Sequence, residues 1–286
     1  MDSHGWQVIY AMVRIVDSMI PETGRKKPYS DGLIASMYVW TCGNDRPQGW
    51  ACHRSSYARW FRPPALPCEG QFSRRLRSKR CQELLRAVES RLANADVGSS
   101  VSFLDGRPLV VGPCSKDSEA KGGRISGGFA RGYKLHAIVS EDFRLRTWCV
   151  TPLNESEPKV AETLIPGTSL GTWLLADGNY DSGTLYDLAE AQGCQFLTPL
   201  PDNAGEGHRR QSVSRLRAVE LWSTGVAEPI YRLRTGVERC FGHQCSFGGG
   251  LAPLPAWVRT LERVRRWVLA KLIIYHARLR TRRAAA

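Results

Sequence analysis

The chain has 286 residues, of which 42% are hydrophobic and 23% are charged, with a formal net charge of +13 at pH 7. This composition is ordinary for a globular protein, and the length is enough for one full core and a smaller accessory domain. The apolar run from Val8 to Ile20 is interrupted by Arg14 and Asp17, so we predict neither a membrane span nor a signal peptide and expect a cytoplasmic protein.

Positive charge is concentrated near the C-terminus. From Trp257 onward, basic side chains outnumber acidic ones by nine to one, and Glu262 is the acid. Most of the basic residues are arginines, whose planar guanidinium suits phosphate. We therefore predict a polyanionic partner, nucleic acid in preference to a membrane surface, with simple solubility as the alternative explanation of the charge.

The nine cysteines are scattered along the chain and include no C-x-x-C pair. Cys42 and Cys52-His53 form a local cluster, but this cluster lacks the paired spacing of a zinc site. We therefore expect free thiols in a reducing compartment, and neither a zinc ribbon nor a disulfide framework.

Residues 1–95 are predicted to form a helical region. Apolar residues recur at helical spacing up to Met19, and Pro21 ends that helix. Asp31 is placed to cap a second helix. A third predicted helix extends over 72–92.

The start of the third predicted helix is densely basic and includes Arg74 and Arg75. A short basic helix after a proline-marked turn is suited to enter or follow a DNA groove. A solvated polar face explains the same residues equally well. Both interpretations stay open, and we retain Arg74 and Arg75 as candidate DNA contacts.

Beyond Val97 the spacing of apolar residues changes from helical to alternating. A strand is expected to carry Asp105 near its end, with a second short strand after Gly106. The stretch 121–128 is basic and glycine-rich and lacks phosphate-loop spacing, so we predict a mobile loop. The remaining predicted elements are a hairpin of 133–139 with 143–150, a helix at 158–164, a strand at 172–176, a helix at 185–192 capped by Asp181, and a strand at 194–197.

A small polar insertion, 199–227, precedes two long predicted helices near 229–247 and 256–282. The order of these elements predicts an α/β fold in which helices flank a mixed five-stranded sheet. We divide the chain into a helical N-terminal region, 1–95, and a second domain, 96–286, that ends in the basic helix.

Three acidic residues, Asp105, Asp177 and Glu238, are the strongest candidates for chemistry. The first two each follow an apolar, strand-like run. Tyr231 and Arg234 precede Glu238 by seven and four residues, spacings that fall on one face of an α-helix. Because neighbouring strand ends converge in a mixed sheet, we predict that the three acids meet.

Carboxylates that meet in this way repel one another unless a divalent cation lies between them. Oxygen ligands favour Mg²⁺ or Mn²⁺ over zinc. Two such ions about 3.5–4 Å apart can activate a water or sugar hydroxyl and stabilise the leaving oxygen of a phosphodiester. Each acid also has a simpler explanation, since Asp105-Gly106 matches a hairpin turn and Glu238 could pair with Arg234.

Taken in order, these motifs resemble the DDE transposases of bacterial insertion sequences, in the group marked by Tyr, Arg, Glu and Lys around the third acid. That group has the pattern Y-x2-R-x3-E-x6-K, and Tyr231, Arg234 and Glu238 match it in type and spacing. The resemblance covers roughly residues 70–280. Further matches are Phe103-Leu104-Asp105-Gly106, Gly132-Tyr133-Lys134-Leu135-His136 and Leu175-Ala176-Asp177-Gly178-Asn179-Tyr180-Asp181-Ser182.

The resemblance implies a ribonuclease-H-like core, dependence on Mg²⁺ (or Mn²⁺), and excision and insertion of a mobile element by two-metal phosphoryl transfer. It implies that Asp105, Asp177 and Glu238 hold the metal ions. It also implies that Tyr231 and Arg234 bind phosphate near the cleaved end. The implied partner is double-stranded DNA, as terminal inverted repeats and target, bound by a homodimer in the bacterial nucleoid.

Two features of the motifs leave alternatives open. Cys245 occupies the lysine position of the pattern, which puts one DNA contact in doubt unless Arg239, His243 or the glycine-rich turn after Phe247 compensates. Lys134 and His136 share one face of their strand and are either DNA contacts or solvent-exposed residues. The competing functions are a transposase, a DNA-binding protein of the same fold that has lost catalysis, and a related nuclease without strand transfer.

Overall fold

The computed structural model describes residues 3–21, 28–94, 98–200, 212–251 and 253–284. The chain forms two compact units. The first unit joins Met1–Ala95 with Gln244–Val258 and Glu262–Ala286, and the second comprises Asp96–His243 with Arg259–Leu261. The first division falls beside residue 95, where the sequence pattern changes. The C-terminal helix groups with the N-terminal helices, which differs from the predicted 96–286 domain.

Ten α-helices and six strands lie in the described residues. The helices are α1 (Ser3–Met19), α2 (Asp31–Gly43), α3 (Glu69–Leu76), α4 (Lys79–Ala93), α5 (Glu157–Leu164), α6 (Gly183–Ala191), α7 (Val213–Ser223), α8 (Ala227–Tyr231), α9 (Thr235–Cys245) and α10 (Leu261–Ala284). The strands are β1 (Val101–Val110), β2 (Lys121–Ile125), β3 (Gly128–Ser140), β4 (Leu145–Pro152), β5 (Trp173–Leu175) and β6 (Gln195–Leu197). Within these ranges, no helix combines the length and apolar character needed to cross a membrane.

Helix ends in the first unit follow local capping signals. The Ser30 hydroxyl accepts a hydrogen bond from the Leu33 amide at 3.0 Å and caps α2. Asp31, the predicted cap, is instead the first helical residue. The single helix predicted over 72–92 is two helices, α3 and α4, because Ser78 interrupts it and caps α4 with its side chain.

α10 belongs to the first unit because its middle is buried there. Lys271 is fully buried and its Nζ donates to the backbone carbonyl oxygens of Cys42 at 2.8 Å and Gly249 at 3.1 Å. The same ammonium pairs with Asp45 at 2.5 Å. A buried charge is tolerated only when its partners are in place. This basic helix therefore uses one of its cations for structure.

The second unit contains a mixed sheet whose main strands are ordered β4–β3–β1–β5–β6. β3 runs antiparallel to both β1 and β4. β5 runs parallel to β1, and β6 runs parallel to β5. This mixed sheet with its helices confirms the predicted ribonuclease-H-like α/β fold, and β2 adds a sixth strand to it.

The stretch 121–128 is not the predicted loop. It forms β2 and the start of β3, which pair antiparallel from Lys121 opposite Gly132 to Ile125 opposite Gly128. Gly127 has a φ of 86°, which permits the tight connection between them. The glycines that suggested a mobile loop are therefore used for a close hairpin.

β1 is one continuous strand of ten residues and does not break at Gly106. Asp105 pairs with Ala137, and Gly106 pairs with His136, in an unbroken antiparallel ladder. The hairpin-turn interpretation of Asp105-Gly106 is therefore wrong. Asp105 lies in the middle of its strand, and not near the end as predicted.

Candidate active site

Asp105 and Asp177 are brought together by the parallel pairing of β1 and β5. Phe103 lies opposite Leu175 at the end of this pairing. Asp105 comes two residues after Phe103, and Asp177 comes two residues after Leu175. Because β5 ends at Leu175 while β1 continues, the two carboxylates lie where the strands diverge. Crevices at the carboxyl ends of parallel strands are common ligand sites in α/β sheets.

Arg234 lies within reach of both carboxylates. Its Nη2 atom is 3.6 Å from Asp105 Oδ2 and 4.0 Å from Asp177 Oδ2. The guanidinium therefore offsets part of the repulsion between the two acids. Its Nε atom is buried and has no hydrogen-bond partner in the described residues. Arg234 thus keeps a donor group that the two carboxylates do not use.

Burial raises the pKa of Asp105 from 3.8 to about 6. The Gly106 amide and Arg234 oppose this rise, whereas the negative charges of Asp177 and Glu157 add to it. Burial also raises the pKa of Asp177, and the charge of Glu157 contributes. The raised pKa values mean that the protein alone does not fully compensate the negative charges of these two carboxylates. A bound cation would stabilise their ionised forms.

Tyr231, Arg234 and Glu238 do not lie on one continuous α-helix. α8 ends at Tyr231, a 3₁₀ turn covers Arg232–Arg234, and α9 follows. A 3₁₀ residue advances about 120° and an α-helical residue about 100°, so Tyr231 and Arg234 are aligned across this turn and Glu238 lies about 40° from them on the same face. The Tyr231 hydroxyl donates to the Ala176 carbonyl oxygen at 3.1 Å. Glu238 is exposed to solvent.

The structure thus brings Asp105 and Asp177 together, whereas Glu238 is on an exposed part of α9. In the ranges that the structure describes, no group of three or more His, Cys, Asp or Glu side chains is arranged to hold a metal ion. The two aspartates still fit a hard divalent cation by their chemistry. Mg²⁺ is commonly held by one or two carboxylates, and water and substrate phosphate supply its other ligands.

Lys134 and His136 lie on the opposite face of the sheet from Asp105. Asp105 pairs with Ala137, and side chains alternate between faces along β3. His136 is 1% exposed, and its Nε2 is 2.9 Å from the Thr151 hydroxyl. Burial lowers the pKa of His136 to about 4, so the ring is neutral at pH 7. In this structure His136 is therefore neither exposed nor charged.

Lys134 forms an ion pair with Glu157, the first residue of α5. The two side chains are 12% and 18% exposed. A Cβ atom on Gly106 would lie 2.9 Å from Lys134 Cδ and 3.3 Å from Glu157 Oε1. The pair therefore packs on the backbone next to Asp105. Glu157 is a fourth acid near the site.

A protein-family model described as "Transposase DDE domain" matches residues 97–276, which is more than half of the chain. The chain belongs to the DDE transposase family. This membership confirms the resemblance to DDE transposases and supports a role in transposition. Members of the family generally use a divalent metal ion, and DNA is the implied partner. No curated protein matches the chain.

The remaining predicted DNA contacts of this DDE transposase lie on α3. Arg75 pairs with Asp31 at 2.5 Å, and Arg80 pairs with the same carboxylate at 2.6 Å. Arg74 is exposed. Of the two predicted contacts, Arg75 is engaged within its own unit and Arg74 presents its charge to solvent.

Cys245 is the last residue of α9. Its thiol donates to the Leu251 carbonyl oxygen at 2.6 Å. The side chain carries no positive charge toward DNA, in contrast with the lysine of the Y-x2-R-x3-E-x6-K pattern.

Two residues near the acids of the transposase were not singled out from the sequence. Glu157 carries no signal of its own, because only the packing of α5 on β3 brings it near Asp105. Tyr180 lies three residues after Asp177 in the quoted motif. The motif around Asp177 includes Tyr180, but the spacing of its residues does not predict that the Tyr180 side chain is buried.

Proposed function

We propose that this DDE transposase cuts and joins DNA at the ends of an insertion sequence by phosphoryl transfer that depends on divalent metal ions. The supporting observation is the Asp105–Asp177 pair at the divergence of β1 and β5, with Arg234 within 4.0 Å of both acids. Paired carboxylates suit a hard cation, and an adjacent guanidinium suits a phosphate oxygen.

The proposal gives each residue of the site one task. Asp105 and Asp177 would hold Mg²⁺, or Mn²⁺ in its place. When bound, such ions activate an attacking oxygen and stabilise the leaving oxygen of a phosphodiester. Arg234 would donate to a phosphate oxygen next to the scissile bond, and Tyr231 would do the same by exchanging its hydrogen bond to the Ala176 carbonyl oxygen for one to phosphate. We assign Glu238 to the acidic set on its motif spacing alone, since its carboxylate is exposed.

The proposed partner is double-stranded DNA, both as terminal inverted repeats and as target. The net charge of +13 and the exposed Arg74 support phosphate binding by the chain. Two element ends must be held together for excision, so we propose a homodimer on DNA. The site of action would be the bacterial nucleoid.

The test is strand cleavage of a labelled duplex that carries the inverted repeats flanking the gene, in the presence of Mg²⁺. We expect the unmodified chain to cleave at the repeat boundary and Asp177→Asn to lose cleavage. Asp187→Asn is the matched control, because Asp187 is an exposed residue of α6 that accepts from Ser212 at 2.5 Å. Equal cleavage by Asp177→Asn would contradict the proposal.

Two further outcomes separate the alternatives. Cleavage without joined products would indicate that the protein is a nuclease that lacks strand transfer. If the unmodified chain binds DNA tightly but does not cleave it, the protein is a DNA-binding protein that has lost catalysis. Two observations favour that alternative, namely the exposure of Glu238 and the replacement of the pattern's lysine by Cys245.

A further inference from the structure

Tyr180 is a buried residue with an unsatisfied hydroxyl. It closes the 3₁₀ turn Gly178–Tyr180, and its amide donates to the Asp177 carbonyl oxygen at 3.1 Å. The side chain is 0% exposed. Its hydroxyl has no hydrogen-bond partner in the part of the chain that the structure describes. Because a buried polar group without a partner is unfavourable, a ligand is expected to supply one.

The surroundings of this hydroxyl are those of the acid site. The charged groups that act on it are Glu157, Asp105, Asp177 and Arg234. The turn that carries Tyr180 packs against α5, which begins at Glu157. A phenol O–H is a hydrogen-bond donor, and negative charge near it favours the protonated form that can donate.

Neither aspartate accepts a hydrogen bond from the Tyr180 hydroxyl. Asp177 Oδ1 accepts from the Asn179 amide at 2.9 Å. Asp105 Oδ1 accepts from the Gly106 amide at 2.7 Å. A group that joins the site from solution could supply the acceptor. A water molecule has the lone pairs to accept this hydrogen bond.

We propose that Tyr180 is a positioning residue of the acid site, and that its hydroxyl donates to a water that accompanies a divalent cation at Asp105 and Asp177. This inference rests on the proposed function, because it requires the two aspartates to take up a cation. Tyr180 acts through that water and does not contact the DNA. Its contribution is to the affinity of the site for the cation.

The test compares Tyr180→Phe with Tyr186→Phe in the full chain. Tyr186 is also 0% exposed, but its hydroxyl is hydrogen-bonded to the Thr198 hydroxyl at 2.8 Å. The readouts are the dissociation constant for Mn²⁺, measured by electron paramagnetic resonance of the free ion, and thermal unfolding with and without Mn²⁺. Neither readout requires DNA or turnover.

Loss of one net hydrogen bond is expected to weaken Mn²⁺ binding by Tyr180→Phe by about two- to tenfold. Without Mn²⁺, Tyr180→Phe should be at least as stable as the unmodified chain, because it removes an unsatisfied hydroxyl. Tyr186→Phe should be less stable and should bind Mn²⁺ with unchanged affinity. Equal Mn²⁺ affinity for Tyr180→Phe and the unmodified chain would overturn the inference.

Asp177→Asn separates failure of this inference from failure of the proposed function. If Asp177→Asn loses Mn²⁺ binding while Tyr180→Phe keeps full affinity, the acid site stands and the role of Tyr180 is wrong. If Asp177→Asn binds Mn²⁺ as well as the unmodified chain, the cation does not bind at the acid pair. That result would overturn both proposals.

Discussion

Replacement of Asp105 by Asn is expected to stabilise the metal-free transposase at neutral pH. Burial raises the pKa of Asp105 from 3.8 to about 6 in the folded chain. A carboxyl group with a raised folded-state pKa holds its proton more tightly in the folded chain than in the unfolded chain. The free energy of unfolding therefore falls as the pH rises through this interval. Asn cannot ionise and avoids that loss.

The magnitude follows from the difference between the two pKa values, 3.8 and about 6. At about 1.4 kcal/mol for each pH unit, the ionised Asp105 lowers the free energy of unfolding by about 3 kcal/mol. The side chain is 19% exposed, so solvent screens only a small part of this effect. We expect Asp105→Asn to gain about 1–3 kcal/mol near pH 7 and to gain nothing near pH 4.

Asp117→Asn provides a control of opposite sign in the same unit. Asp117 accepts hydrogen bonds from the Tyr133 hydroxyl at 2.8 Å, the Thr260 amide at 3.0 Å and the Glu119 amide at 3.2 Å. Burial opposes ionisation of this carboxyl, but the hydrogen bonds outweigh it and hold the pKa below 3.8. Asp117→Asn should therefore lose stability near pH 7.

The assay is urea unfolding followed by tryptophan fluorescence, with a chelator present, at several pH values between about 4 and 8. A loss of stability for Asp105→Asn near pH 7 would refute the reasoning. A gain of equal size at both ends of the pH range would refute it as well, because the effect must follow the ionisation of the carboxyl group.

Three further predictions concern stability. Gly132→Ala should lose several kcal/mol in urea unfolding, because the new Cβ would collide with the Leu109 carbonyl oxygen. Gly106→Ala should lose less, about 1–2 kcal/mol, because its Cβ meets side-chain atoms, Lys134 Cδ at 2.9 Å and Glu157 Oε1 at 3.3 Å, and not the backbone. Burial lowers the pKa of His136 to about 4, below its unfolded value of 6.5, so stability falls as the pH drops between these values. On acidification from about pH 7 to 4, the free energy of unfolding of His136→Gln should therefore decrease by up to about 3 kcal/mol less than that of the unmodified chain. Lys271→Met should lower the free energy of unfolding by about 2–4 kcal/mol, seen as a lower Tm, because it leaves buried carbonyl oxygens without their donor.

Local patterns in the sequence were sufficient to predict the fold class. The alternation of apolar residues along 133–139 predicted β3 and its hairpin with β4. Proline in the first turn predicted α5. These signals depend on periods and caps within a few residues, so they are readable without tertiary contacts. The break at Ser78 and the hairpin of 121–132 were missed, because a cap inside a helical pattern and a glycine turn are ambiguous locally.

The sequence by itself determined which residue types the site contains and the family to which the chain belongs. The spacing of Asp105 and Asp177 after their apolar runs was enough to select both as candidates. Only the tertiary structure decided how these residues are arranged. The register of Phe103 with Leu175 brings the two aspartates together, and the packing of α9 leaves Glu238 exposed.

The burial that raises the pKa of Asp105 and leaves the Tyr180 hydroxyl without a partner likewise depends on the tertiary structure. So does the approach of Glu157, which requires α5 to pack on β3. Burial and long-range register depend on which segments pack together. The identity and order of neighbouring residues in the chain do not contain that information.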